Sequence, residues 1–193
     1  MANITAADVN KLRKMTGAGM MDCKKALQEC DGDFEKATDY LRKKGQKIAS
    51  KRADKDANEG LVIAKVNENN DFGVIVMVNC ETDFVAKNQD FSDFVNQVVD
   101  LALNNRIPNR DELMKAELNG LTVEAHLTGL IGKIGEKMQL AHYDCFDDKC
   151  VFAYNHQGNR LSTLLGMNVP ANDTILQVGH EVAMQVAAMK PLA

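Results

Sequence analysis

Asn79-Cys80-Glu81-Thr82-Asp83-Phe84-Val85-Ala86-Lys87 joins two patterns of different period. Before it runs Val74-Ile75-Val76-Met77-Val78, the longest apolar strand pattern in the chain. After it come Phe91, Phe94, Val95 and Val98, spaced as one face of a strongly amphipathic helix. A strand-to-helix junction lies at the surface, and such junctions often carry function. This one sets a carboxylate beside a large aromatic. Phe84 can tuck under the following helix as part of the core. Alternatively it projects as a wedge, charged at its shoulder, that enters a partner. The junction residues by themselves leave both readings open.

Upstream, Leu61 to Val66 reads as a strand and Phe72 to Asn79 as its return, with Asn67 to Asp71 as a turn whose residues tolerate left-handed backbone. Downstream, the helix from Asp90 to Asn104 is stopped by Arg106-Ile107-Pro108-Asn109-Arg110. Residues 111–134 read as helical, interrupted at Asn119-Gly120, with Val123, Leu127, Leu130, Ile131 and Ile134 on one face and Gly135 as C-cap. Met138 to Phe146, Val151 to Asn155 and Arg160 to Met167 are strand-like, joined by Asp147-Asp148 and by His156-Gln157-Gly158-Asn159. Asn172 or Asp173 caps a last helix carrying Ile175, Val178, Val182, Val186 and Met189. Hairpin, junction and helix thus occur twice, which predicts two related α+β subdomains with antiparallel sheets. The second junction offers Val169-Pro170-Ala171 and no Asp-Phe pair.

The first 45 residues read as three short helices. Thr5 caps the first, with Asp8 as a capping-box partner, and Val9 and Leu12 line its inner face. Thr16-Gly17-Ala18-Gly19 breaks it. A second helix, Met20 to Cys30, turns Cys23, Leu27 and Cys30 inward; Asp33 then caps a third, with Phe34, Ala37 and Leu41 on one face. The expected organisation is a three-helix head at 1–45, a basic linker at 46–58, a first core subdomain with a helical segment at 59–137, and a second at 138–193.

Charge divides along the chain. Residues 1–58 hold 13 Lys/Arg against 9 Asp/Glu, and residues 59–193 hold 10 against 18. The overall charge of −4 gives no global pointer to nucleic acid. The basic run 42–55 lacks interleaved aromatics, yet it supports one alternative, a nucleic-acid-binding adaptor. The sequence has no apolar run long enough to cross a membrane and no signal-peptide pattern at Met1-Ala2-Asn3-Ile4-Thr5. Its 5 cysteines are therefore expected as reduced thiols of a cytoplasmic protein. Cys145 and Cys150 flank Asp147-Asp148 in an expected hairpin, where they would face each other across the strands.

Catalytic groups do not converge in the sequence. Gly17-Ala18-Gly19 follows no strand and lacks a third glycine, so it is no dinucleotide fingerprint, and the chain has no P-loop. The histidines His126, His142, His156 and His180 are scattered without metal-ligand spacing. A binding protein is expected, without cofactor or metal; an enzyme working through the Cys145/Cys150 region is the weaker rival.

Two stretches together are highly specific: Leu12 to Leu27, reading LRKMTGAGMMDCKKAL, and Asn79 to Lys87. They resemble the bacterial elongation factor Ts family, nucleotide-exchange factors for the translational GTPase elongation factor Tu. Phe34 to Leu41 after Gly32-Asp33 fits that family's ubiquitin-associated-like head. Tyr154-Asn155-His156 and Ile131 to Glu136 fit its core. The resemblance implies that Thr82, Asp83, Phe84 and Val85 displace magnesium from the GTPase. It implies that Arg13, Met20, Met21 and Lys24 of the head contact the same GTPase domain, and that His156 touches a more distant one. It further implies elongation factor Tu as the partner, GDP-bound and nucleotide-free, with no nucleotide bound by this chain itself and with homodimerisation through the core as an option. Many family members continue past the position of Met189-Lys190-Pro191 with further core strands and a helical hairpin, so the second subdomain is expected to be short by comparison.

Overall fold

The structure, a computed structural model, describes residues 4–191. In chain order its elements are α1 (Ala6–Thr16), α2 (Met20–Glu29), α3 (Phe34–Lys51), β1 (Glu59–Val66), β2 (Phe72–Cys80), α4 (Asp83–Ala86), α5 (Gln89–Asn104), α6 (Arg110–Lys115), β3 (Glu117–Leu118), β4 (Leu121–Thr122), α7 (Val123–Ile134), β5 (Met138–Asp147), β6 (Cys150–Asn155), β7 (Ser162–Met167) and α8 (Asp173–Met189). Helices and antiparallel sheets coexist, with helices leading, so the fold is α+β as expected. Contacts divide it into two units, one of residues 1–57 and 114–139 and one of residues 58–113 and 140–193.

In the first unit, local chemistry sets the helix ends. Thr5 and Asp8 form a full capping box on α1, and Asp33 Oδ1 accepts the Glu35 and Lys36 N–H groups at the start of α3. Val9, Leu12, Cys23, Ala26, Leu27, Ala37 and Leu41 close the small core of the first three helices. The basic run after Leu41 continues α3 to Lys51 as helix, and its inner side packs on α7. Small residues allow this: a Cβ on Gly45 would stand 2.3 Å from the Thr128 carbonyl oxygen. The buried contact within this run is thus made by a glycine rather than by a large apolar side chain. Arg52 Nε and Lys137 Nζ then donate to main-chain carbonyls, of Gly135 and of Ala53 and Lys55, and pin the two segments together.

The segment read as one interrupted helix at 111–134 is broken more deeply than expected. Asn119 and Gly120 both take positive φ, 53° and 87°, and form a two-residue turn between β3 and β4. Asn-Gly at positive φ is the strongest short hairpin signal, and here it wins over the helical pattern around it. Thr122 Oγ1 accepts the Ala125 N–H and caps α7, and Gly135 ends it in left-handed conformation. By its contacts this segment groups with the head, although the sequence reading placed it in the first core subdomain.

In the second unit, β1 and β2 pair antiparallel in continuous register from Glu59–Cys80 to Val66–Gly73, and β5 lies on the other side of β2. The α5 helix buries Phe91, Phe94, Val95, Val98, Val99 and Ala102, against β1 and β2. β6 pairs with β7, and α8 covers that hairpin. One expectation fails here: β5 and β6 do not form a hairpin, so Cys145 and Cys150 are not cross-strand neighbours. Neither Asp147 nor Asp148 takes the positive φ that a tight two-residue hairpin needs. Instead the chain leaves β5 along other ties, with Arg106 paired to Asp147 and the Asp148 and Val151 N–H groups bonded to the Asp71 and Asn70 carbonyls. Cys145 donates to the Ile107 carbonyl, and burial pushes the Cys150 thiol up, away from the reactive thiolate.

Candidate functional site

The quoted junction folds into α4, a single helical turn. Thr82 is its N-cap, and its Oγ1 accepts the Val85 N–H at 3.4 Å. Cys80, buried at the end of β2, donates its thiol to the Thr82 carbonyl at 3.2 Å. Val85 and Ala86, each 7% exposed, anchor the turn on the unit's core. A one-turn helix cannot bury residues on all sides, and with Val85 and Ala86 inward Phe84 is turned out. Phe84 is 81% exposed, the most exposed large hydrophobic side chain among the described residues. Leaving a phenylalanine in water forgoes about 1.5–3 kcal/mol of burial. The wedge reading of Phe84 therefore fits the geometry, and the core reading does not. Val85, named with Phe84 from sequence, is buried beneath it.

Asp83 sits beside the wedge in the first turn. Lys87 Nζ donates to its Oδ2 at 2.7 Å, across one helical turn. That bond, with Arg160 contributing at longer range, holds the Asp83 carboxyl below the usual carboxylate range. Arg160 is itself paired with Glu59. Sequence reasoning passed over both cations. Lys87 had a signal, its i+4 spacing from Asp83. Arg160 had none, because its partner is 101 residues away.

His156 opens the turn between β6 and β7 and is exposed. Its N–H donates to the Leu161 carbonyl at 2.9 Å, and its ring contacts Tyr154. In the other unit, Met20 and Met21 begin α2 and are 50% and 75% exposed. Lys24 stands one turn further on, also exposed, and Arg13 is exposed near the end of α1. Met15, near the end of α1, is 38% exposed. Flexible thioethers beside cations suit a binding surface that adapts to its partner. Among the described residues no group of three or more His, Cys, Asp or Glu is placed to hold a metal ion.

The family model described as Elongation factor TS matches residues 81–193, which begin inside the junction. Elongation factor Ts of Christiangramia forsetii is 50% identical over 193 residues, covering all of this chain and 69% of the relative. Elongation factor Ts of Amoebophilus asiaticus is 47% identical, covering 98% of this chain and 69% of the relative. That of Porphyromonas gingivalis is 43% identical, covering 98% and 68%. The chain belongs to the elongation factor Ts family. As a member of that family it is a translation elongation factor. No helix among the described residues is long and apolar enough to cross a membrane.

Proposed function

We propose that this chain is a guanine-nucleotide exchange factor of the cytoplasm that binds elongation factor Tu·GDP and speeds GDP release. The observation that carries the reading is the solvent-exposed Phe84 on a one-turn helix whose next two residues are buried. Bound GDP is held by backbone cradling and by Mg²⁺ bridging to phosphate. Phe84 enters the GTPase and displaces elements that hold the metal. Asp83, ionised at neutral pH and paired with Lys87, competes for hydrogen bonds there and repels the phosphate side. Loss of metal coordination loosens the nucleotide. Arg13, Met20, Met21 and Lys24 of the head, and His156, add docking area. Coupling is reciprocal: nucleotide and metal weaken the factor's binding as much as the factor weakens theirs, so incoming GTP completes the cycle.

The test is release of labelled GDP from elongation factor Tu with and without the chain. Acceleration by the native chain, and its loss in Phe84→Ala, is the expected result. A chain that binds the GTPase without changing the release rate would refute exchange while leaving family membership intact.

A further inference from the structure

The turn that carries His156 is held more firmly than an exposed hairpin tip requires. Asn155 turns its side chain to the outer edge of β1, where its Nδ2 donates to the Ala64 carbonyl at 2.9 Å and its Oδ1 accepts the Ala64 N–H at 2.8 Å. Ser162 Oγ donates to the Val62 carbonyl at 2.8 Å, and the Val62 N–H donates to the Asn159 carbonyl at 2.8 Å. These bonds occupy backbone groups that an open sheet edge would expose. Alternate residues of a strand face opposite sides, so with Asn155 committed to β1, Tyr154 and His156 share the other face. Tyr154 packs against the cluster of Cys150, Phe152 and Ala183 and meets His180 edge-on, with ring centroids 6.0 Å apart. Its ring is held, and its Oη lies 2.9 Å from His156 Nδ1.

A neutral imidazole has one N–H and one bare nitrogen, and the bond made at one nitrogen decides which of them carries the proton. A phenol is a stronger donor than acceptor, and the bare imidazole nitrogen is a stronger acceptor than a phenol oxygen. With Tyr154 donating to Nδ1, the proton stays on Nε2, the nitrogen remote from the strand. We infer that Tyr154 is a positioning residue that holds His156 in the Nε2–H form, so that the β6–β7 turn offers a directed donor to an acceptor on the GTPase. The inference rests on the proposal that His156 faces that partner.

Two measurements separate the inference from the proposal beneath it. In the free chain with isotope-labelled histidine, at about pH 9 where imidazole is neutral, ring-nitrogen shifts report the tautomer. His156 is expected with Nε2 protonated, and Tyr154→Phe, which keeps the ring and its packing, is expected to relax it to a mixture. Nδ1 protonated in the native chain, or a tautomer unmoved by Tyr154→Phe, overturns the inference. In GDP release, Tyr154→Phe is expected to raise the concentration for half-maximal acceleration about three- to tenfold, the scale of one hydrogen bond. The saturating rate should not change. His156→Gln places an amide N–H near the Nε2 position, and in that background Tyr154→Phe should have no further effect. An undiminished effect there also overturns the inference. If His156→Ala leaves release unchanged, the docking role of His156 is what fails, and the ring-nitrogen shifts still decide the tautomer.

Discussion

The second unit contains the same local plan twice, and the two copies differ most where they join strand to helix. In the first, β2 runs through α4 into α5, and α5 buries six side chains that include two phenylalanines. In the second, β7 runs through residues 168–172, all exposed, into α8, whose fully buried positions are Gly179, Ala183 and Ala187. The first junction is anchored by Val85 and Ala86, and the second has no buried residue. A wedge must be rigid to displace anything, because a mobile aromatic would be pushed aside at the entropic cost of ordering it. Only the first copy supplies that foundation. Within one repeated plan, the contrast sets an anchored junction against an exposed one.

Truncating the aromatic within the first junction and the one just beyond it should have sharply different consequences. Phe91→Ala, in the core, should cost about 3–5 kcal/mol of stability in denaturant unfolding. Phe84→Ala, seven residues earlier, should change stability by no more than about 0.5 kcal/mol. A similar loss from both would make Phe84 part of the core. In α8 the close approach is made by small residues, and a Cβ on Gly179 would stand 2.2 Å from the Phe152 ring. Gly179→Val should therefore cost about 1–3 kcal/mol through overpacking, an effect without counterpart on α5. Thr82→Ala removes the cap of α4 and should cost about 1 kcal/mol. Because the cap orients the wedge, its effect on GDP release should exceed its effect on folding.

The smallest effect concerns charge. Lys87→Met removes the donor that depresses the Asp83 carboxyl, so that carboxyl should titrate closer to its ordinary value of 3.8. A depressed folded-state pKa contributes stability that is present above the unfolded value and lost as pH falls through the folded one. The native pair should thus act fully at neutral pH and fade only in acid. Carboxyl-carbon titration of the free chain checks the direction, and an Asp83 titration unmoved by Lys87→Met would discard the pairing.

Much of this architecture could be read from residues alone where the interaction is local. The β1–β2 hairpin, the face of α5 and the caps at Thr5, Asp33 and Gly135 all arise from neighbours within one turn or one hairpin. What escaped is non-local. The choice of β2 over β6 as partner for β5 depends on contacts far along the chain. The packing of α3 on α7 depends on Gly45 meeting Thr128, which no periodicity reveals. At the candidate site the sequence marked the Asp83-Phe84 pair and left its direction open. That direction is decided by Val85 and Ala86, whose burial needs the finished sheet beneath them.

Phe84, 81% exposed, is expected to do its work outside the fold. The most direct measurement is GDP release from elongation factor Tu by the native chain and by Phe84→Ala, each with its unfolding midpoint taken in parallel. The expected result for Phe84→Ala is at least a tenfold loss of acceleration, about 1.4 kcal/mol in the barrier, with the midpoint unchanged. Full acceleration by Phe84→Ala, or a loss that simply follows a lowered midpoint, would contradict it.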